Sequence, residues 1–296
     1  MDIKQAYEHI INWPSGISVF DCDSTVICGK NWPMWETLTT GEGLSDVALA
    51  LWRRIWNMSI MEEVDAIAQK AMSTPWAVFQ DSLHARFEIL RQYWLQRQDV
   101  QAWAWEALFS EWFAEFIQLK NWLKKERNLQ YQPYFFLSGG FEEMLIECLS
   151  HVVKKTELEN ILFANVFAYE WENVVWFDTV LSKMYLEGAK KAMVEKLRLT
   201  WDIPFWVPVY GVGDGSNDVT MSDSWYFVAY TGVKRREKVV EIAAGVEAMN
   251  FFEIAVFHTN PEERKFIYDS WNLEMIGILE KWKTSLKMRV EGLNIG

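Results

Sequence analysis

Two aspartates stand one residue apart in the stretch DCDST, residues 21 to 25, directly after the apolar run ISVF. Successive side chains of a strand point to opposite faces, so Asp21 and Asp23 point the same way while Cys22 points away. Carboxylates held that close repel each other unless a cation or a shared proton compensates. The pair is therefore either unfavourable or part of a site, and the other polar clusters of the chain decide which.

Three further clusters follow predicted strands or begin predicted helices. They are SGGF at 138 to 141, the two lysines of GAKKAMVEKL at 188 to 197, and GVGDGSND at 211 to 218. Each has an ordinary interpretation when taken alone. The DCDST stretch is not a calcium loop, which needs Gly at its sixth position and Glu at its twelfth, because Val26 and Trp32 stand there. GVGDGS lacks the third glycine of a dinucleotide fingerprint, since that residue is Ser216.

Taken together, the clusters match the requirements of phosphate chemistry. A carboxylate that attacks a phosphate dianion meets Coulomb repulsion, so it needs a divalent cation with oxygen ligands and a fixed positive side chain. Asp21 and Asp214 are suited to Mg2+, and Lys190 supplies a positive charge. Ser138 and the backbone amide of Gly139 are neutral donors for phosphate oxygens at the start of a helix.

The elements that position these residues alternate between strands and helices. Apolar or β-rich runs at 17 to 20, 132 to 137, 176 to 181 and 206 to 212 are separated by helical patterns, and residues 43 to 127 are helical in period. This alternation predicts an α/β fold with a Rossmann-like parallel sheet. The helical block is then an insertion after the first strand. The last forty residues are expected to form one or two amphipathic helices.

Composition narrows the functional classes. The formal net charge of -12 and the absence of a long basic run argue against nucleic acid as a partner. No apolar segment approaches the about 20 residues that span a bilayer, so no membrane association is expected. Three cysteines in no metal-ligand spacing and an N-terminus unlike a signal peptide favour a cytoplasmic protein. The sequence does not predict an oligomeric state.

With these motifs in this order, the chain resembles the phosphatases of the haloacid dehalogenase (HAD) superfamily, and most of all the phosphoserine phosphatase branch. The resemblance covers residues 17 to 28 and 133 to 235, and FAN at 163 to 165 and VAYTGVKR also look like that branch. It implies a HAD-like core made of residues 1–28 and 128–296 and an α-helical cap domain made of residues 29–127. It also implies a Mg2+-dependent phosphatase acting on a small-molecule phosphate ester.

The resemblance assigns roles residue by residue. Asp21 becomes the nucleophile that forms an aspartyl phosphate, and Asp23 the general acid and then the general base. Ser138 and Lys190 hold the phosphate, and Lys190 fits the pattern better than Lys191 because an alanine precedes it. The expected ligands of Mg2+ are Asp21, Asp23, Asp214 and Asp218. The expected substrate-binding residues are Gly139, Arg86, Asn217 and Lys30.

The insertion leaves the substrate open. Arg86 lies on the apolar face of a predicted helix that Thr74 and Pro75 begin, and the resemblance makes it a ligand of a substrate carboxylate. Where the family has a glutamate for the amino group of phosphoserine, this chain has Lys30. Two positive charges about 4 Å apart cost about 4 kcal/mol at an effective dielectric near 20. Phosphoserine would therefore bind poorly unless Glu36 or Glu42 takes over or Lys30 turns to water.

Several alternatives stay open at this point. One is a phosphorylated carboxylic acid without an amino group, and another is phosphocholine or phosphoethanolamine in an aromatic cage. The 18 tryptophans suggest such a cage, but tryptophans at helical spacing are more often core residues. Packing needs alone do not explain their number, because Leu or Phe would serve. A phosphomutase and a non-catalytic binding module of the same fold are the remaining rivals.

Overall fold

The computed structural model describes residues 3–28, 43–57, 59–73, 79–106, 108–223 and 226–289. The chain divides into two compact units. The first unit comprises residues 1–21, 109–135 and 190–296, and the second comprises residues 22–108 and 136–189. The division into a core and an inserted cap that the sequence suggested stays a prediction.

The described residues form ten strands. They are β1 (Ile17–Phe20), β2 (Ile27–Cys28), β3 (Leu108–Phe109), β4 (Tyr134–Phe141), β5 (Leu162–Asn165), β6 (Phe167–Glu170), β7 (Asn173–Phe177), β8 (Val209–Gly213), β9 (Phe227–Tyr230) and β10 (Glu247–Ala248). Six of them make one sheet in the order β10-β9-β8-β1-β4-β5. The pairings of β1 with β8, β8 with β9, β9 with β10 and β4 with β5 are parallel. The predicted parallel α/β sheet is therefore confirmed.

The sequence explains the central strands. Every residue of β1 (ISVF) and of β9 (FVAY) is buried. Strands covered on both faces read as continuous apolar runs rather than as alternating patterns, which is the reason that the run ISVF of β1 could be recognised in the sequence. The run FVAY of β9 was not among the predicted strands.

Helices account for much of the remaining chain. They are α1 (Ile3–Ile11), α2 (Gly43–Ile55), α3 (Ser59–Ser73), α4 (Phe79–Gln92), α5 (Arg97–Glu106), α6 (Phe113–Glu126), α7 (Glu142–Leu149), α8 (Lys155–Ile161), α9 (Ala189–Leu199), α10 (Glu237–Ile242), α11 (Phe251–Phe257), α12 (Pro261–Asp269) and α13 (Leu273–Arg289). The last two confirm the predicted C-terminal helices. Across the described ranges, no helix has both the length and the apolar character needed to cross a bilayer.

One predicted strand is wrong. Residues 176 to 181 were expected to join the parallel sheet, but Trp176 and Phe177 end β7, which pairs antiparallel with β6 as a hairpin. The Asp178 side chain then accepts hydrogen bonds from the backbone N–H groups of Val180 and Leu181 at 2.8 and 2.9 Å. An aspartate that bonds the backbone ahead of it makes a turn, so the apolar residues that follow lie in a turn instead of a strand.

Aromatic side chains fill the core of each unit. In the first unit, the ring of Phe20 lies 5.3 Å from that of Phe116 and 5.6 Å from that of Phe251. In the second unit, Phe141 stacks on Phe167 with 3.9 Å between ring centroids. Buried aromatic pairs of this kind add to the apolar burial that holds the strand ends in place.

Candidate active site

Asp21 and Asp214 lie at the same edge of the sheet. Asp21 directly follows β1, and its N–H still donates to the carbonyl of Val212 on β8 at 3.0 Å. Asp214 directly follows β8, which runs parallel to β1. The carboxyl ends of neighbouring parallel strands meet at one edge, where ligands of open α/β sheets bind.

A third aspartate completes a buried acidic group. Asp21, Asp214 and Asp218 each offer a carboxylate oxygen, and these oxygens lie within 4.8 Å of one another. Their residues are only 6%, 4% and 4% exposed. Buried carboxylates need a positive partner, and carboxylate oxygens are the ligands that Mg2+ prefers. The residues present therefore fit a divalent cation with oxygen ligands.

Lys190 contacts two members of this group. It is the second residue of α9, and its Nζ atom lies 2.5 Å from Asp21 Oδ1 and 2.6 Å from Asp218 Oδ1. Burial alone would lower the pKa of the Lys190 amine, but the two carboxylates outweigh burial and raise the pKa above its usual value. The amine is thus held as an ammonium. Lys191, by contrast, is an exposed residue whose side chain pairs with Glu195 at 3.9 Å.

Two glycines make room for Asp218. An added Cβ atom at Gly213 would lie 2.5 Å from Asp218 Cγ, closer than any real contact. The N–H of Gly215 donates to Asp218 Oδ2 at 2.7 Å. The glycines of GVGDGSND therefore bring the Asp218 carboxylate against the end of β8, which a larger residue at 213 would prevent.

Arg236 is a site residue that sequence reasoning missed. Its Nη1 atom lies 2.7 Å from Asp214 Oδ2 and donates to the Asp214 carbonyl at 3.1 Å. In the sequence it belongs to the charged run KRREK, which is typical of a solvated surface, so nothing local singled it out. Lys190 and Arg236 together offset two of the three carboxylate charges, which leaves the group net negative and favourable for a cation.

The second unit contains the other predicted phosphate-binding residues. Ser138 is buried within β4, and its Oγ atom accepts a hydrogen bond from the N–H of Gly140 at 3.0 Å. A Cβ atom at Gly140 would lie 3.4 Å from both carboxylate oxygens of Asp23. Asp23 and the SGG segment of β4, residues 138 to 140, are therefore neighbours within this unit. The roles predicted for Asp23, Ser138 and Gly139, and Asp23 as a metal ligand, stay predictions.

The remaining predicted substrate contacts have different placements. Arg86 is half-buried on α4, and its Nε atom donates to the carbonyl of Ser82 at 3.3 Å. Asn217 is exposed just before the 3-10 helix Asp218–Met221. Lys30 lies outside the described residues, as do Glu36, Glu42, Thr74 and Pro75. The substrate-binding assignments of Arg86, Asn217 and Lys30 stay predictions.

Comparison with known proteins places this geometry in a wider context. No family model matches the chain. No curated protein matches it either. A structure of a phospho-aspartyl intermediate analogue of phosphoserine phosphatase is 21% identical, with a TM-score of 0.57, covering 83% of this chain and 100% of that chain.

Two other solved structures agree. A substrate-bound phosphoserine phosphatase complex is 20% identical, with a TM-score of 0.55, covering 84% of this chain and 100% of that chain. A probable phosphoserine phosphatase from Vibrio cholerae is 15% identical, with a TM-score of 0.52, covering 84% of this chain and 65% of that chain. The resemblance predicted from the motifs is therefore confirmed at the level of the fold. The chain has the fold seen in these phosphoserine phosphatase structures.

Proposed function

We propose that the protein is a Mg2+-dependent phosphomonoester hydrolase that works through an aspartyl phosphate on Asp21. The observation that carries this proposal is the buried contact between the Asp21 carboxylate and the Lys190 ammonium, inside a group of three aspartates. A carboxylate nucleophile beside a fixed cation is what attack on a phosphate dianion requires. Support also comes from the solved phosphatase structure that carries a phospho-aspartyl intermediate analogue.

The chemistry has two half-reactions. In the first, an oxygen of Asp21 attacks phosphorus, the ester P–O bond breaks, and the Asp23 carboxyl gives its proton to the leaving oxygen. In the second, the Asp23 carboxylate takes a proton from water, the resulting hydroxide attacks phosphorus, and the bond to Asp21 breaks to release phosphate. The Lys190 ammonium stabilises the charge that develops on the phosphoryl oxygens.

The other proposed contacts hold the phosphate. The Ser138 hydroxyl and the Gly139 backbone amide donate to its oxygens, with Asn217 in support. Asp21, Asp214 and Asp218 would hold Mg2+, with Asp23 as a further ligand. A bound Mg2+ ion would supply Lewis-acid polarisation of the phosphoryl group.

The proposed substrate is a small phosphorylated metabolite. Residues 29–127 would act as a helical cap domain and residues 1–28 and 128–296 as the core. Arg86 would bind a substrate carboxylate, as in a phosphoserine phosphatase-like enzyme. Lys30 favours a phosphorylated acid without an amino group as the competing substrate. The three cysteines are present as thiols, which supports the cytoplasm as the proposed location.

The test is phosphate release with Mg2+ from L-phosphoserine, phosphoglycolate, phosphocholine, phosphoethanolamine and an aryl phosphate. Asp21→Asn removes the nucleophile, and Asp202→Asn, an exposed aspartate, is the matched control. We expect release with the wild-type protein and the control, and background release with Asp21→Asn. Phosphate and Mg2+ binding without release would contradict hydrolysis and favour the binding module.

A further inference from the structure

Asn165, the last residue of β5, is fully buried with both of its polar groups engaged. Its Nδ2 atom donates to the carbonyl of Gly139 at 2.9 Å, and its Oδ1 atom accepts from the N–H of Met184 at 3.0 Å. Its relative exposure is 0%. A buried amide with both partners satisfied fixes the two segments it joins, because breaking either bond leaves an unsatisfied polar group in the interior.

One of these segments is the SGG segment of β4. The register of β4 against β5 shifts between Leu137 and Phe141, so the regular ladder does not hold the residues between them. Instead, the peptide between Gly139 and Gly140 is fixed at both ends: its carbonyl accepts from Asn165, and its N–H donates to Ser138 Oγ at 3.0 Å. A hydroxyl oxygen that accepts from a backbone N–H directs its own proton elsewhere. By holding this peptide, Asn165 restricts the directions in which Ser138 can donate.

The other segment, residues 182–184, precedes α9 and Lys190 in the chain. Lys183 N–H donates to the carbonyl of Ala164 at 3.2 Å, and the Val166 N–H donates to Ser182 Oγ at 2.9 Å. Together with the bond from Met184 to Asn165, these contacts fasten residues 182–184 to the end of β5. The chain then continues to α9, whose second residue is Lys190.

We propose that Asn165 is a positioning residue that orients the Ser138 hydroxyl and the SGG segment for phosphate. This proposal rests on the proposed phosphatase function. Ser138 touches phosphate in both the ground state and the transition state, so its misorientation weakens binding of both. The expected signature is a rise in KM with a smaller change in kcat.

The experiment measures kcat and KM for an aryl phosphate, and the dissociation constant of inorganic phosphate with Mg2+. Asn165→Leu removes both hydrogen bonds, and Asn165→Asp keeps the acceptor for Met184 while removing the donor to Gly139. Asn160→Asp, on the exposed face of α8, is the control. We expect KM and the phosphate dissociation constant to rise about tenfold in both Asn165 variants, with kcat changed less. A tenfold rise corresponds to the loss of one neutral hydrogen bond, the one from Ser138 to phosphate.

The outcomes separate this proposal from the function it rests on. An inactive wild-type protein that binds no phosphate rejects both. An active wild-type protein whose Asn165→Asp variant keeps its KM and phosphate affinity overturns the role of Asn165 alone. A lower thermal midpoint and kcat at unchanged KM would mark Asn165 as merely structural, which also overturns the proposal.

A different observation concerns the tryptophans. Among the described residues, nine residues other than glycine have positive φ, and six of these are tryptophan: Trp56, Trp94, Trp112, Trp171, Trp201 and Trp271, with φ between 55 and 66°. Left-handed backbone is strained for residues with a Cβ atom and is the usual place for glycine. Tryptophan, which has a Cβ atom, is therefore strained at these positions.

The local structure at five of these positions is that of a glycine site. Trp56, Trp94, Trp201 and Trp271 lie within two residues after the ends of α2, α4, α9 and α12, where glycine most often stops a helix. After Trp94, the Leu95 N–H donates to the Leu90 carbonyl at 3.3 Å, which is the bond of a Schellman motif. Trp171 opens the two-residue turn of the β6–β7 hairpin, which favours glycine.

The five side chains lie largely in water. The exposed fractions are 83% for Trp56, 72% for Trp94, 90% for Trp171, 63% for Trp201 and 83% for Trp271. By contrast, Trp13 is 5% exposed and stacks on Tyr210 with 5.2 Å between ring centroids. The chain has 18 tryptophans but only 15 glycines in 296 residues, whereas about 7% glycine is ordinary.

We infer that these five positions are encoded by UGA codons and that the cells in which the protein is naturally made read UGA as glycine. The natural protein then has glycine at all five positions. UGA is read as stop, as tryptophan or as glycine in different genetic codes. Buried tryptophans such as Trp13 would be encoded by UGG, which has no such ambiguity.

The test is peptide mass spectrometry of the protein purified from its own cells, with the codon read at each position. We expect UGA codons and glycine residues at the five positions, and a UGG codon and tryptophan at Trp13. Tryptophan in the peptides that cover the five positions, or UGG codons there, overturns the inference.

Discussion

The Lys190 ammonium lies 2.5 Å from the Asp21 carboxylate, and both groups are nearly buried. A lysine from the start of α9 and an aspartate from the end of β1 therefore form one charged pair, which joins residues 169 positions apart in the chain. The pair leaves Asp21 close to a positive charge without removing its ability to attack as an anion.

Replacing Lys190 tests the importance of this pair. Lys190→Gln removes the charge that stabilises the phosphoryl oxygens, so we expect kcat/KM for an aryl phosphate to fall by about 10²-fold or more. Lys191→Gln, on the exposed side of the same helix, should stay within about twofold of wild type. Equal activities of the two variants would contradict the role of Lys190.

Metal removal tests the acidic group. Mg2+ that binds only the folded protein raises the free energy of unfolding by about 2.7 kcal/mol at 100 times its dissociation constant. We expect the thermal midpoint of the wild-type protein to rise with Mg2+ and to fall back with a chelator. Asp214→Asn should lose most of this response, whereas Asp202→Asn should keep it. A wild-type midpoint insensitive to Mg2+ argues against a metal at these aspartates.

Gly213 tests the space around Asp218. In Gly213→Ala the new methyl group would overlap the Asp218 carboxyl, so we expect weaker Mg2+ binding and a loss of activity of about tenfold or more. Gly277→Ala is the matched control, because nothing lies within 4 Å of its added Cβ atom in the interior of α13. That control should stabilise the protein by about 0.5–1 kcal/mol. If Gly213→Ala and Gly277→Ala had similar Mg2+ binding and activity, the prediction would be wrong, because Asp218 would then tolerate displacement.

His258 predicts a dependence of stability on pH. It is buried, and its Nδ1 atom lies 2.6 Å from Ser18 Oγ. Burial, with a smaller contribution from the charge of Lys120, holds the pKa of His258 well below its usual value. Below about pH 6.5 the unfolded chain binds a proton that the folded chain does not, so the free energy of unfolding falls as pH falls.

The expected slope from this one group is about 1.4 kcal/mol per pH unit below pH 6.5. Urea unfolding between pH 7 and pH 5 measures it. The wild-type protein should lose more stability over this range than His258→Gln, which cannot take up the proton. Parallel pH profiles for the two proteins would mean that His258 is not the group responsible.

Trp171 offers a test of backbone strain. Trp171→Gly relieves a left-handed residue whose side chain is 90% exposed, so we expect the free energy of unfolding to rise by about 1 kcal/mol. Trp13→Gly removes a buried, stacked ring and should destabilise the protein by about 3–5 kcal/mol. Urea unfolding followed by circular dichroism compares them. Destabilisation by Trp171→Gly would show that its indole makes a favourable contact.

Much of the acidic group could be predicted from the sequence, because two of its three members stand at the ends of short apolar strands. Asp21 follows ISVF and Asp214 follows VYGVG, and parallel neighbours bring such residues to one edge. The choice of Lys190 over Lys191 came from the resemblance, whose pattern has an alanine before the lysine, and the contact of Lys190 with Asp21 agrees with it.

Other features could not be predicted because they depend on distant parts of the chain. Arg236 reaches Asp214 from 22 residues away and stands in a charged run that looks like surface. The apolar run at 176 to 181 resembles a sheet strand, but its first two residues pair with β6 in a hairpin. The Asp178 side chain then accepts a hydrogen bond from the backbone ahead of it, and the residues that follow lie in a turn. Asn165 showed no sign of its two buried hydrogen bonds in the sequence.

In a chain made with tryptophan at the exposed positions, these indoles also determine how unfolding can be observed. Indoles in water fluoresce at longer wavelengths than buried ones, and Trp56, Trp94, Trp171 and Trp271 are already largely in water when the protein is folded. Their emission barely shifts on unfolding and dilutes the signal of Trp13. Fluorescence would thus show the unfolding transition with a small amplitude, whereas the far-ultraviolet signal of the helices reports the folded state directly.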